Sequence, residues 1–295
     1  MRRAPECRPC VLGDLDGALV LLGAPPDQRA AVVAEGTAQF DATWPQNRIP
    51  GEHICDAHRL LKRALGMAHP FEEARSRANA VGIQIAREIA ARAPVGAVDR
   101  LRWFARWAIA GNLLDFRICG YDLDAARIEK LLHECFDEGL AIDELAAFAQ
   151  HLPAAREIVV IHDNVGEIAF DKEFLRELGR QAPNARITSA LKGGVMTSDA
   201  TVDDGRTVGL GEVAEIIASG PDTLGICIAE MSDELRAALA RADLVISKGQ
   251  GNFYVLEERP REVPAPTLLL LRTKCMVTSR HLGFDHIVNV ARFLA

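Results

Sequence analysis

No stretch of this chain reaches the ~18 consecutive apolar residues of a membrane-spanning helix. Positive charge is also in deficit, with 34 Lys and Arg against 41 Asp and Glu and a formal net charge of −7. That balance gives no electrostatic reason to expect nucleic acid or an anionic membrane as a partner. Nor is there a cysteine framework: seven cysteines are an odd number and lie scattered, a usage that suits a reducing cytoplasm better than disulfides. The opening MRRAPECRPC is basic, but Asp14 and Asp16 interrupt the apolar residues behind it, so it matches a secretion signal poorly and a cytoplasmic location is expected. Internal repeats and low-complexity segments are lacking too.

What is present is enough apolar material for a sizeable core: 49% of 295 residues, which allows one large or two ordinary domains. The first half reads as helical. His53–Leu65 has the pattern of a short helix, and Pro70 suits the start of a second over Phe71–Ala91. Trp103, Phe104 and Trp107 form a core-facing stripe behind Asp99. Ile128, Leu131, Leu132, Cys135 and Phe136 recur at helical spacing. Asp143 can cap a last helix ending near Pro153.

Beyond residue 153 the period changes. Ile158–Ile161, Arg186–Leu191, Ala214–Ala218, Leu244–Ser247 and Thr267–Leu271 are short apolar runs, with polar helical stretches such as Lys172–Arg180 and Asp233–Arg241 between several of them. Strands alternating with helices predict a mostly parallel sheet. The expected organisation is α/β: a helical region over 1–153 packed on a three-layer α/β domain over 154–295.

Four polar clusters follow predicted strands, where ligands gather in open α/β sheets. They are Asp163-Asn164, Gly193–Thr201 with Asp199, Ser219–Asp222, and Ser247–Asn252 with Lys248. Asp163 and Asn164 offer two hard oxygen donors side by side, the type Mg²⁺ takes, and Glu167 falls at the start of the next helix. Carboxylates, a lysine and glycines that admit backbone N–H groups suit a divalent cation beside a phosphate. Each element also has a plain structural meaning: an Asx turn or helix cap for Asp163, Asn164 and Asp199, a solvated loop lysine for Lys248, turns for the glycines, a helix-terminal carboxylate for Glu167. The glycines of the fourth cluster match neither P-loop nor dinucleotide spacing, and the glycine-rich first loop of a methyltransferase is missing.

Asp163-Asn164-Val165-Gly166-Glu167, Ser198-Asp199-Ala200-Thr201 and Lys248-Gly249-Gln250-Gly251-Asn252 together resemble, in order and spacing, the metal-dependent damage-control phosphatase family. The likeness extends to Gly111-Asn112-Leu113-Leu114-Asp115, and Cys7-x-x-Cys10 is similar to the cysteine-containing branch of archaea and bacteria. The resemblance implies a helical N-terminal region on an α/β domain. It implies a divalent metal (Mg, Mn, Co or Ni) held by Asp163, Asn164 and Asp199, with Lys248 on the substrate phosphate and Asn112, Asp222 and Asn252 lining the pocket. It also implies hydrolysis of a small phosphorylated metabolite, such as a damaged or side-product one. For that chemistry a metal-activated water is the simplest nucleophile, Asp163 as a covalent nucleophile is the less attractive alternative, and Glu167 is a candidate to orient the water. The chain departs from the family pattern at Ser198, often Asn, at His69 and Phe71, usually Asp and Tyr, and at Arg75, commonly Lys. These departures bear on substrate contacts more than on metal binding. A non-catalytic sensor of a phosphorylated ligand is the competing reading. Cys7 and Cys10 would form a structural metal site only with two further ligands, for which His53, Cys55 and His58 are the nearby candidates; ordinary thiols are the alternative.

Overall fold

The computed structural model describes residues 4–46, 48–116, 125–258 and 260–295; the basic opening thus lies partly outside the described residues. The N-terminal half is helical: α1 (Cys7–Leu21), α2 (Pro26–Thr43), α3 (Pro50–Leu65), α4 (Glu72–Ala90), α5 (Ala97–Ala110) and α6 (Ala125–Asp137), with a 3-10 turn over Gly111–Leu114. Then come β1 (Ile142–Asp143), α7 (Leu145–Ala149), β2 (Glu157–Ile161), α8 (Glu167–Gln181), β3 (Arg186–Leu191), α9 (Val202–Val208) and β4 (Glu215–Ala218). The chain ends with α10 (Asp233–Arg241), β5 (Leu244–Lys248), α11 (Gly249–Glu258), β6 (Thr267–Arg272), α12 (Met276–His281) and β7 (Asn289–Leu294). No helix of the described residues is long and apolar enough to cross a membrane.

Among the described residues, seven strands form one sheet in the order β1-β7-β6-β5-β2-β3-β4. Every neighbouring pair is parallel except β6 and β7. The apolar runs that announced β2, β5 and β6 are continuous because both faces of the sheet are covered. Alternation then splits each strand between two cores. Ile158, Val160, Leu244, Ile246, Leu268 and Leu270 join the core shared with α4, α5 and α8. Val159, Ile161, Val245, Leu269 and Leu271 join a second core with α10 and α11. The first core runs without a break from Val11 and Leu15 of α1 to Ala291 of β7, so the helical half and the sheet share one interior.

The strand order places β2 in the interior of the sheet, between β5 and β3, with its carboxyl end beside those of both. The helical half contributes to the sheet as well as covering it: Ile142 and Asp143 pair with Val290 and Ala291 at the edge. Asp143 also accepts a hydrogen bond from the Leu145 amide at 3.2 Å, an Asx turn one residue ahead of the N-cap of α7, which is Glu144 rather than the expected Asp143.

Candidate active site

At the carboxyl end of β2 the chain stops pairing as a strand and delivers Asp163 and Asn164, both almost wholly buried. After β3, the segment carrying Asp199 folds back across them. Two backbone hydrogen bonds join the segments: the Val165 amide donates to the Ser198 carbonyl at 2.8 Å, and the Ala200 amide to the Asp163 carbonyl at 2.8 Å. Asn164 and Asp199 are thereby paired as an antiparallel bridge. The Ser198 hydroxyl donates to Asn164 Oδ1 at 2.9 Å, and Thr197 Oγ1 donates to Asp199 Oδ2 at 3.2 Å. Three oxygen-bearing side chains from two loops thus share one buried place.

The electrostatics of that place are lopsided. Burial is the largest cause raising the Asp163 pKa; Lys274 pulls the other way, and the neighbouring charges of Glu167, Asp199 and Asp115 push it up again, to about 7. A carboxylate in this state is short of positive charge. The Asp163 carboxylate also rests against bare backbone: a Cβ added at Gly249 would lie 1.9 Å from its Oδ2, and Gly249 sits at φ +77°. A crowded set of hard oxygen donors with excess negative charge, and with bare backbone on its Gly249 side, fits a divalent cation. Among the described residues no three His, Cys, Asp or Glu side chains gather as a cation site; the set at Asp163 is two carboxylates and an amide.

Lys248, at the end of β5, reaches the same region but turns inward. Its ammonium is fully buried, donates to the Ala108 carbonyl at 2.8 Å, lies 3.0 Å from Asp171 Oδ1 and bonds Glu167 Oε1. Burial opposes its charge, yet Asp171 and Glu167 outweigh burial and hold its pKa above the ordinary lysine value. Glu167 is a hub: its other oxygen accepts from Asn112 Nδ2 at 3.0 Å and Asn164 Nδ2 at 3.1 Å. Those two amides also donate to Asp163 Oδ2, at 2.9 and 2.7 Å. Asn112 therefore stands beside Asp163, brought there by the turn after α5.

Asn252 is fully buried and structural in its contacts: it accepts from the Ile226 amide at 2.7 Å and donates to the carbonyls of His162 and Lys248 at 3.1 and 2.8 Å. It pins the ends of β2 and β5 together. Asp222 faces α3 instead, 2.6 Å from Lys62 Nζ and 3.1 Å from Arg59. Burial alone would raise its pKa; the hydrogen bond and charge of Lys62, with Arg59, hold it below the usual value.

The candidate partners of a Cys7–Cys10 metal site are dispersed. Cys55 Sγ accepts from the Leu224 amide at 3.1 Å, His58 Nε2 meets Asp14 at 2.7 Å, and His53 Nδ1 lies 3.3 Å from Thr43 Oγ1. Cys7 is buried on α1 within electrostatic reach of Cys275, and Cys10 is exposed.

Sequence reasoning passed over several residues at the site. Lys274 follows β6 and is partly open to solvent, with Nζ 2.9 Å from Asp115 Oδ2 and 4.0 Å from Asp163 Oδ2. Its signal is in the chain, since β6 is an expected strand and a lysine just past its end is at the ligand edge. Lys192 is buried beside Asp199 and Asp163 and donates to the Gly225 carbonyl at 2.5 Å; burial lowers its pKa although both carboxylates raise it. Arg75, noted in the sequence only as a departure from the family pattern, and Asn79 reach the site from α4, a convergence that no local period encodes.

Comparison with known proteins bears on the family and the fold. The family model described as the damage-control phosphatase ARMT1-like domain matches residues 3–290. A damage-control phosphatase of Archaeoglobus fulgidus is 28% identical over 299 residues, spanning 100% of this chain and 99% of that one. An uncharacterised protein of Methanocaldococcus jannaschii is 26% identical over 284 residues, 95% of this chain and 92% of its own. The crystal structure of a DUF89 family protein from Pyrococcus horikoshii matches with a TM-score of 0.87 at 25% identity, covering 99% of this chain and 98% of that one. With a shared fold and a family model spanning nearly all its length, the chain belongs to the damage-control phosphatase ARMT1-like family.

Proposed function

We propose that this protein is a metal-dependent phosphomonoester hydrolase acting on a small phosphorylated metabolite. The observation that carries the reading is the closure of Asp163, Asn164 and Asp199 from two hydrogen-bonded loops around one buried, negatively charged place. Asp163, Asn164 and Asp199 would hold the cation, which when bound supplies Lewis acidity to a phosphoryl oxygen and to a water. Family membership supports phosphatase chemistry and a small-molecule substrate.

The remaining roles follow from the side chains. Glu167 and Asn112 fix the Asp163 carboxylate and the Asn164 amide in place. Lys248 neutralises Glu167 from behind, out of reach of solvent, and so serves the scaffold of the site. Lys274 is the cation placed to meet the substrate: partly exposed, 4.0 Å from Asp163, and suited to offset charge on non-bridging phosphoryl oxygens. Attack of water on phosphorus with departure of the alkoxide gives the alcohol and inorganic phosphate.

The test is hydrolysis of para-nitrophenyl phosphate by chelator-stripped protein resupplied with Mg²⁺, Mn²⁺, Co²⁺ or Ni²⁺, beside Asp163→Ala. Turnover should appear only with metal and vanish in the variant while its far-UV circular dichroism is unchanged. Undiminished turnover in Asp163→Ala removes the assignment; binding of phosphorylated ligands without any turnover replaces the enzyme with a sensor.

A further inference from the structure

Two polar side chains of α4 leave the helical half and grip both loops of the site. Arg75 and Asn79 are one helical turn apart, so they project from the same face. They are 5% and 3% exposed. Asn79 Oδ1 accepts the Gly166 amide at 2.8 Å, two residues beyond Asn164. Arg75 donates to the Thr197 carbonyl at 2.5 Å, two residues before Asp199. Both then meet on Asp204: Asn79 Nδ2 donates to its Oδ1 at 2.8 Å, and Arg75 bonds its Oδ2. Asp204 in turn takes the Thr201 amide at 2.9 Å and the Thr201 hydroxyl at 2.6 Å, just past Asp199.

One helix therefore holds the first loop after its ligands and the second loop on both sides of its ligand. The approach is as close as backbone permits, since a Cβ added at Gly82 would stand 2.3 Å from the Gly166 carbonyl oxygen. Packing alone does not call for such a knot. A buried Arg–Asp pair is a weak source of stability compared with apolar side chains of the same volume. What this one adds is fixed geometry: a planar guanidinium spans Thr197 and Asp204 at once, which an ammonium cannot do.

Resting on the reading of Asp163, Asn164 and Asp199 as cation ligands, we propose that Arg75, Asn79 and Asp204 form a clamp that sets the separation of the two ligand loops and so the affinity for the cation. They are positioning residues, acting through Gly166, Thr197 and Thr201.

The experiment uses the full chain stripped with chelator. Mn²⁺ binding is measured by calorimetry, and turnover of para-nitrophenyl phosphate is measured against Mn²⁺ concentration. The variants are Asn79→Ala, Arg75→Lys and the milder Asp204→Asn, with Ile85→Ala as a control that removes core packing on the same helix away from the clamp. The expected result is a Mn²⁺ dissociation constant raised about 10–100-fold in clamp variants, with kcat largely recovered at saturating Mn²⁺ and no change of the constant in Ile85→Ala. Wild-type affinity in whichever clamp variants fold, or an equal loss in Ile85→Ala, overturns the clamp. So does a Mn²⁺ constant that stays unchanged while kcat falls, because that marks a loss of folded protein only. Failure of the wild type itself to bind Mn²⁺ overturns the underlying ligand assignment instead, and the clamp with it.

Discussion

The Lys248 ammonium and the Asp171 carboxylate lie 3.0 Å apart with neither side chain touching solvent. Asp171 extends the contact to His162 at 2.8 Å, and His162 to Ser189 at 3.1 Å, so a continuous chain of polar contacts runs from Glu167 to β3. Removing one member of such a pair strands the others. Lys248→Met should destabilise the protein by about 3–5 kcal/mol, because Glu167 and Asp171 would both lose their cation in a buried setting. Urea unfolding of chelator-stripped protein measures it. A loss below about 1 kcal/mol, with impaired phosphate binding instead, would return Lys248 to direct substrate contact.

The Asp163 carboxyl predicts a pH dependence of opposite sign to the usual acid-denaturing aspartate. Its pKa is about 7 in the folded metal-free protein, against ~3.9 when unfolded. Between those values the folded state binds more protons than the unfolded state. Its contribution to stability is therefore fully present below about pH 4 and lost as pH rises to about 7. In the presence of chelator, wild type should lose stability relative to Asp163→Asn across that window, and the difference should level off above it. Thermal melts of both proteins from pH 4.5 to 8 check the sign; a difference that is flat or rises with pH contradicts the assigned environment.

Gly249 predicts a steric effect on the same carboxylate. At φ +77° an alanine is strained, by roughly 1–3 kcal/mol, and its methyl would stand 1.9 Å from Asp163 Oδ2. One or the other must move. Gly249→Ala should lower metal affinity about 10–100-fold, read by calorimetric titration with Mn²⁺, while Gly283→Ala, where a Cβ meets nothing within 4 Å, should bind Mn²⁺ as wild type does.

Much of this arrangement was legible in the sequence, for identifiable reasons. The run over Ile158–Ile161 announces β2 because an interior strand covered on both faces leaves an unbroken hydrophobic stretch, and Arg186–Leu191 announces β3 although Thr188 and Ser189 interrupt it. Asp163, Asn164 and Asp199 stand out as candidates in the sequence because strand ends are where an α/β sheet presents its loops. Edge elements were hidden: β1 has only two residues, and β7 carries Asn289 and Arg292 within its six, so neither shows a clean apolar run. The family resemblance puts Lys248 on the substrate phosphate, and the sequence alone reads a lysine past a strand as a solvated loop residue. The sequence does not reveal that Glu167 and Asp171, on the first turns of α8, enclose it. Arg75, Asn79 and Lys192 meet the site only through long-range packing, which no local period encodes.

Lys274 carries the last prediction. Its ammonium bridges Asp115 at 2.9 Å and stands 4.0 Å from Asp163, and its side chain keeps partial access to solvent, unlike Lys248 and Lys192. A dianionic phosphate arriving at the cation would meet this amine on its approach, and a hydrogen bond between charged groups contributes about 1.5–3 kcal/mol. Lys274→Ala should therefore raise KM for para-nitrophenyl phosphate roughly 10–100-fold at saturating Mn²⁺, while Mn²⁺ still binds. Lys274 also lowers the Asp163 pKa, so in the variant the pH at which Mn²⁺ binding reaches half its plateau should move upward. Unchanged KM together with an unchanged midpoint would place the phosphate elsewhere along the sheet edge.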